Sequence, residues 1–367
     1  MASVAYSSPG PLLLASLPLA TVAGLAGAAL LITSTIVGTY AGAWIIGVPA
    51  ILWILLAGTM LERFVLLLLL SLAAVAGGVM WDFGLRQTVF IAMFMLFARY
   101  LIVPIVPTIV MFALGLVIHI AIQGELSELF LLGPTFLLLL KAIEVQSRAK
   151  SADRKLSAKE NASVSLMAAV ALVLPLQGYG SRTALFVWGA YFLRQITLLL
   201  FILGIVGAAI IVQIPGLPIV EKLQDSIGEL TQPVPDSGVG VSMRALEGLV
   251  FLGWVDTASA GELLFGSNEM IYLPGAVLGK DVDPPFVPHN YLAASLFQFG
   301  IVGFLALAAY MASLWRHMSG FTPGRYLFFM LMIPGFITSA GFITTDYAVF
   351  AAAINGLIHR YSTGAAR

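Results

Sequence analysis

The chain has no cysteine, so disulfides, iron–sulfur clusters and cysteine-bound zinc are all excluded. Charge is scarce as well: Asp, Glu, Lys and Arg together make up 10% of the residues, while 60% are hydrophobic. A soluble domain of 367 residues could not cover its surface with so little charge. Together with a mean hydropathy of +1.00, this composition is that of an integral membrane protein. The formal net charge is zero, so there is no excess of positive charge to attract nucleic acid or to form a basic peripheral patch. No Lys or Arg precedes the first apolar run. The chain therefore opens without the basic segment of a cleavable signal, and residues 11–32 read as a retained helix.

What is present is a series of apolar runs. Crossing the hydrocarbon core takes about 20 residues of helix. Runs bounded by charge, Gly or Pro predict about twelve spans, at 11–32, 40–60, 64–80, 87–98, 101–121, 127–141, 162–178, 183–193, 196–214, 290–313, 326–340 and 346–359. The expected fold is thus an all-α polytopic membrane protein. Its parts are N-terminal helices over 1–141, a basic connector over 142–161, further helices over 162–214, a large outer loop over 215–289 and C-terminal helices over 290–367. With the N-terminus inside, 13 of the 18 basic residues fall on cytoplasmic stretches, and the short outer loops keep only Arg86 and Arg182. Both termini are then cytoplasmic. The connector reads as a short solvated helix. Within the large loop, Ile219, Leu223, Ile227 and Leu230 recur at helical spacing, and a second helix is expected over Val241–Val255.

Three polar positions invite a chemical reading. Arg182 closes the outer turn Gly178-Tyr179-Gly180-Ser181-Arg182, against the positive-inside tendency. It is either an interfacial anchor or a guanidinium whose planar fork grips a diphosphate. Arg244 stands in a loop holding ten acids and three bases, where it either pairs with Glu247 at i,i+3 or joins an anion site. His289 follows Pro284, Pro285 and Pro288 and precedes Asn290, a good helix N-cap, so its imidazole sits at a stiffened helix entry. An imidazole is suited to act as a general base near neutrality. His317 and His359 lie in basic turns and read as solvated, and His119 lies near the end of its span. Gly300 and Gly303 occupy neighbouring positions on the helix after His289 and remove bulk where another helix could approach. Asp281-Val282-Asp283 is the one acidic pair that could in principle hold Mg²⁺; it runs straight into Pro284-Pro285.

With His289-Asn290, nine residues, and then Gly300-x-x-Gly303, the chain resembles the O-antigen ligase and O-antigen polymerase superfamily of bacterial surface-glycan assembly. Ser181-Arg182 on an outer turn, Arg244 in the large loop and the loop's place before the His-bearing helix fit the same pattern. Leu263-Leu264-Phe265-Gly266 is loosely like that family's Gly-containing loop segment, and residues 162–313 carry the best match. The resemblance implies a GT-C-like, metal-independent glycosyltransferase of the bacterial inner membrane, with no cofactor and with its large loop in the periplasm. It implies a glycan on undecaprenyl diphosphate as donor and a lipid A-core sugar, or a second lipid-linked glycan, as acceptor. His289 would be the base, Arg182 and Arg244 the diphosphate ligands, and Ser181, Asn290, Gly300 and Gly303 supporting residues. A transporter of lipid-linked glycans or solutes, or a purely structural subunit, are the readings from other classes.

Overall fold

A computed structural model describes residues 17–76, 78–124, 128–177, 187–189, 191, 243–272, 291–319, 323–337 and 345–364. Among these the protein is all-helical. The helices are α1 (Leu17–Ile36), α2 (Ala41–Ala57), α3 (Met60–Ala76), α4 (Gly78–Arg99), α5 (Ile105–Gln123), α6 (Glu128–Ser151) and α7 (Ala158–Gln177), followed by α8 (Met243–Thr257), α9 (Ala260–Phe265), α10 (Tyr291–Ser319), α11 (Gly324–Ile337) and α12 (Thr345–Gly364). Three of the described segments are long and apolar enough to cross a membrane: Leu17–Ile36, Ile105–Ile122 and Leu292–Ser319. The expected spans 183–193 and 196–214, and the helix carrying Ile219, lie largely or wholly outside the described residues.

The centre of the bundle is α4, which packs against α2, α3, α10 and α12. Its second half, from Val89 to Ala98, contains no polar side chain, and all but one of those residues are buried. A helix that is apolar all round is stable only when surrounded. Small residues let the neighbours close in: a Cβ on Gly47 of α2 would run into the Val89 side chain and backbone.

Two expectations are corrected here. Residues 81–86, with Asp82 and Arg86, read as an outer turn that shortened the next span to 87–98. They are instead the first turns of α4, where the Arg86 guanidinium lies 5.0 Å from the centre of the Phe83 ring. The segment 142–161 read as a solvated connector, but Ala142–Ser151 continues α6, with Ala142, Ile143 and Glu144 fully buried. The turn proper begins at Ala152. Arg154 grips both carboxylate oxygens of Glu160 at 2.7 Å, and Ser157 completes the N-terminal cap of α7 through the same carboxylate. The hydrogen bonds from Arg154, then those from Ser157, pull the Glu160 carboxyl down to about 2.

Polar groups gather where α3 begins and α4, α10 and α12 end. Between α4 and α5, Tyr100–Pro104 leaves the helix although Tyr100, Leu101, Ile102 and Val103 are buried. Its backbone is paired from the sides. The Ile102 amide donates to Ala20 O at 3.4 Å, Val103 to Ala352 O at 3.3 Å, and Asn355 Nδ2 donates to Leu101 O at 2.9 Å. Beside it, buried Glu62 accepts from the Tyr100 hydroxyl at 2.6 Å and the Thr59 amide at 2.8 Å, and faces Arg99 Nε at 3.4 Å. His317 and His359 are half-buried rather than solvated, and His317 Nε2 lies 3.3 Å from Asn355 Oδ1, because the ends of α10 and α12 come together here.

A second buried carboxylate, Glu144, meets Lys141 at 2.6 Å, Arg360 of α12 at 3.0 Å, and Arg148. Burial pushes its pKa up, but the Lys141 hydrogen bond and the charges of Lys141, Arg148 and Arg360 outweigh it and hold the carboxyl below its ordinary value.

Asn355→Ala strips the Leu101 carbonyl of its partner inside the bundle. It should lower stability by about 1–3 kcal/mol, read as a fall in Tm of the detergent-solubilised protein. An unchanged Tm would remove Asn355 as the clasp of this segment. The stabilisation from Glu144 is complete above the ordinary carboxylate pKa of 4.5 and fades as pH falls toward the lowered value. Glu144→Gln should therefore flatten the acid limb of the stability curve while lowering the plateau near neutrality.

Candidate functional site

The helix that follows His289-Asn290 is α10, and it begins at Tyr291, directly after Asn290. It is not continuous. Gly300 takes φ 60° and ψ −171°, far from helical values, and splits α10 into an entry of about two and a half turns and a longer second part. Such a conformation is open essentially to glycine alone.

A short segment from the large loop packs onto this break. Ser259 starts α9 with a reciprocal cap: its amide donates to Glu262 Oε2 at 2.9 Å, and the Glu262 amide donates to Ser259 Oγ at 3.2 Å. The hydrogen bonds from Ser259 hold the Glu262 carboxyl below its ordinary value. Leu264-Phe265-Gly266 then lies against Gln298-Phe299-Gly300. A Cβ on Gly300 would collide with the Leu264 carbonyl and the Phe265 amide, and one on Gly266 with the Gln298 carbonyl. The Ser267 amide donates to Phe297 O at 2.8 Å, pairing a carbonyl in the turn just before the break.

Aromatic packing holds the layer from the other side. Trp254 of α8 meets Phe297 edge-on at 5.1 Å and Phe251 at 5.8 Å, with Met80 of α4 in the same cluster. The expected helix over Val241–Val255 is thus present as α8, and its role is to brace the entry half of α10.

The two glycines do not share one approaching helix, as their spacing suggested. Gly300 receives the backbone of the α9 segment. A Cβ on Gly303 would run into the Phe299 side chain of its own helix and lie 3.1 Å from Leu72 of α3. The break rotates the two positions apart. The Leu263–Gly266 stretch, a weak signal by itself, is the other half of this junction.

Of the remaining candidates, Arg244 lies in the first turn of α8. Ser181, Arg182, His289, Asn290 and the Asp281-Val282-Asp283 pair lie outside the described residues. Among the described residues no group of three His, Asp or Glu side chains is placed to hold a metal ion. Sequence reasoning missed two side chains in this layer. The Trp254 indole N–H and the Gln298 amide nitrogen, on residues 5% exposed or less, have no hydrogen-bond partner among the described residues. Only the tertiary packing identifies them, since neither belongs to a recognisable motif.

Beside the break runs an apolar cavity of about 460 Å³, lined by Phe251 of α8 and by Leu292, Ala293, Leu296, Ile301, Phe304 and Leu305 of α10. It follows both halves of α10, and the described residues in its walls carry no charged or hydrogen-bonding side chain. The arrangement can hold a hydrocarbon chain along the first turns of α10.

Gly300→Ala must place a side chain both in a left-handed conformation and into the Leu264 carbonyl. We expect a loss of about 2–4 kcal/mol, read as a lowered Tm. Gly253→Ala in α8, where an added Cβ meets nothing within 4 Å, serves as the matched control and should be neutral or mildly stabilising. Equal behaviour of the two variants would show that α10 runs straight through Gly300.

Comparison with known proteins found no protein-family model and no curated protein sequence that matches this chain.

Proposed function

We propose that this protein is an integral membrane glycosyltransferase of the O-antigen ligase type. It moves a glycan from undecaprenyl diphosphate to an acceptor sugar, the lipid A-core, at the periplasmic face of the bacterial inner membrane. The single observation that carries the reading is the junction at Gly300. The His-Asn-x9-Gly-x-x-Gly pattern coincides with a break in α10 that a loop segment covers and an apolar cavity flanks. A polyprenyl chain suits that cavity, and its diphosphate would then sit near the helix entry where His289 stands.

Membrane embedding is supported by the outer surface of the bundle. Val106, Val110, Leu114 and Val117 of α5 and Val48, Leu52 and Leu56 of α2 are exposed, and they recur at helical spacing. An apolar face of this kind is unstable in water and stable in lipid.

In the reaction, the acceptor hydroxyl oxygen attacks the anomeric carbon of the donor sugar. The bond between that carbon and the diphosphate oxygen breaks, and undecaprenyl diphosphate leaves with the bonding pair. His289 takes the hydroxyl proton. Arg182 and Arg244 hold the diphosphate and neutralise the charge that develops on its leaving oxygen. No metal step is required, because two guanidinium groups supply the positive charge.

His289→Ala should abolish transfer to a lipid A-core acceptor, measured with purified donor and acceptor, while EDTA leaves the wild type active. Arg182→Lys should be nearly as damaging as Arg182→Ala if the fork geometry matters. Full activity in His289→Ala would end the proposal, and metal dependence traced to Asp281 would replace its chemistry. In a deletion strain, long polymer accumulating on the carrier identifies a ligase, whereas single repeat units identify a polymerase, which shares these motifs.

A transporter is the second reading. It is favoured by the interruptions at Tyr100–Pro104 and Gly300, since transporters build their sites at broken helices. Substrate flux across proteoliposomes without glycosyl transfer would select it.

A further inference from the structure

The α6–α7 junction has more positive charge than its own carboxylates use. Between Lys141 and Glu160 there are six bases and three acids, and Arg360 of α12 adds a seventh cation. Glu144, one of the acids, is fully buried under Lys141, Arg148 and Arg360, of which Arg148 and Arg360 remain 55% and 49% exposed. Arg148 donates to Glu144 through Nη2 while its side chain stays more than half exposed. Glu160 is taken up on both oxygens by Arg154 and on one by Ser157. Lys159 is exposed and makes no ion pair or hydrogen bond among the described residues.

These groups surround a cavity of about 220 Å³, lined by Val145, Arg148, Lys159, Glu160 and Ser163. The face of α7 leading away from it is different in kind. Lys159, Ser163, Leu166, Val170 and Val173 succeed one another at intervals of four, three, four and three, which places them along one side of the helix over about 21 Å. Leu166, Val170 and Val173 are 65%, 39% and 46% exposed. A basic, hydroxyl-bearing recess thus opens onto an uncovered hydrocarbon track.

We propose that this recess binds the phosphate of an anionic phospholipid headgroup, with Arg148 and Lys159 as cationic contacts, Ser163 as hydroxyl donor, and an acyl chain lying along Leu166, Val170 and Val173. Lys159, with no partner among the described residues, and Arg148, more than half exposed beside its Glu144 contact, together favour a phosphate-bearing anion. The adjoining track selects a lipid over a free phosphate ester, which has nothing to place there. The proposal rests on membrane embedding and is independent of glycosyl transfer.

The full chain is reconstituted into mixed phosphatidylcholine and phosphatidylglycerol vesicles, and the lipids retained on the released protein are counted by native mass spectrometry. Phosphatidylglycerol should be retained over phosphatidylcholine. Lys159→Gln should cut that preference roughly fivefold, and Arg148→Gln with Lys159→Gln more than tenfold. Leu166→Gln should weaken it with the charges intact. Lys159 is exposed and unpartnered, so its replacement keeps the test valid even if Arg148→Gln disturbs Glu144. Equal retention of the two lipids, or a preference unchanged in Lys159→Gln, overturns the proposal. Displacement of phosphatidylglycerol by millimolar glycerol phosphate overturns the lipid assignment. Failure of the chain to enter vesicles removes the membrane reading and this one together, whereas insertion without selective retention removes this one alone. Glycosyl transfer should persist in Lys159→Gln.

Discussion

Backbone that leaves the helix inside an apolar bundle must find hydrogen-bond partners there, and this constraint organises the protein. An unpaired peptide group buried among hydrocarbon costs about 1–3 kcal/mol or more, so each interruption has to be met by a neighbour in register. At Tyr100–Pro104 the partners come from α1 and α12: the Ala20 and Ala352 carbonyls and the Asn355 amide. Gly24 of α1 is glycine for the same reason, since a Cβ there would strike the Ile102 carbonyl. Helices α1 and α12, distant in sequence, are therefore both locked to a single extended segment. The Glu62, Tyr100 and Arg99 contacts adjoin it and tie in the start of α3.

The break in α10 obeys the same rule with a different donor. Here the pairing amide belongs to Ser267, in a loop rather than in a helix, and close approach is permitted by glycine on both sides, at Gly266 and Gly300. The large loop is thereby coupled to the entry of α10. The apolar cavity runs along both halves of the same helix and is bounded by Phe251 of α8. The coupling is also why a helix entry of only about two and a half turns can be held firmly.

Much of the helical layout could be read from the chain, and the misreadings have identifiable causes. Asp82 and Arg86 looked like a turn because charges usually sit outside apolar spans. In the fold the Arg86 cation lies against Phe83 and the helix carries straight on. Glu144 and Arg148 looked like solvated connector for the same reason. Glu144 is buried instead because Arg360, more than two hundred positions away, completes its counter-charge. His317 was assigned to solvent because nothing local announces Asn355 as its partner. In each case the deciding partner is remote in sequence, and hydropathy, a local quantity, has no access to it.

The sequence by itself determined the helical class, the approximate order of the apolar segments, and two glycines after His289 as places where a neighbour could approach closely. It could do so because hydrophobic periodicity and glycine's conformational freedom are properties of short windows of chain. Only the tertiary structure decided that Gly300 breaks its helix, that Leu264 and Gly266 fill the gap, and that Glu62 and Glu144 are buried among cations. Those outcomes depend on which distant groups meet once the bundle closes, because a buried charge or an interrupted helix is tolerable only where a partner from elsewhere in the chain arrives to satisfy it.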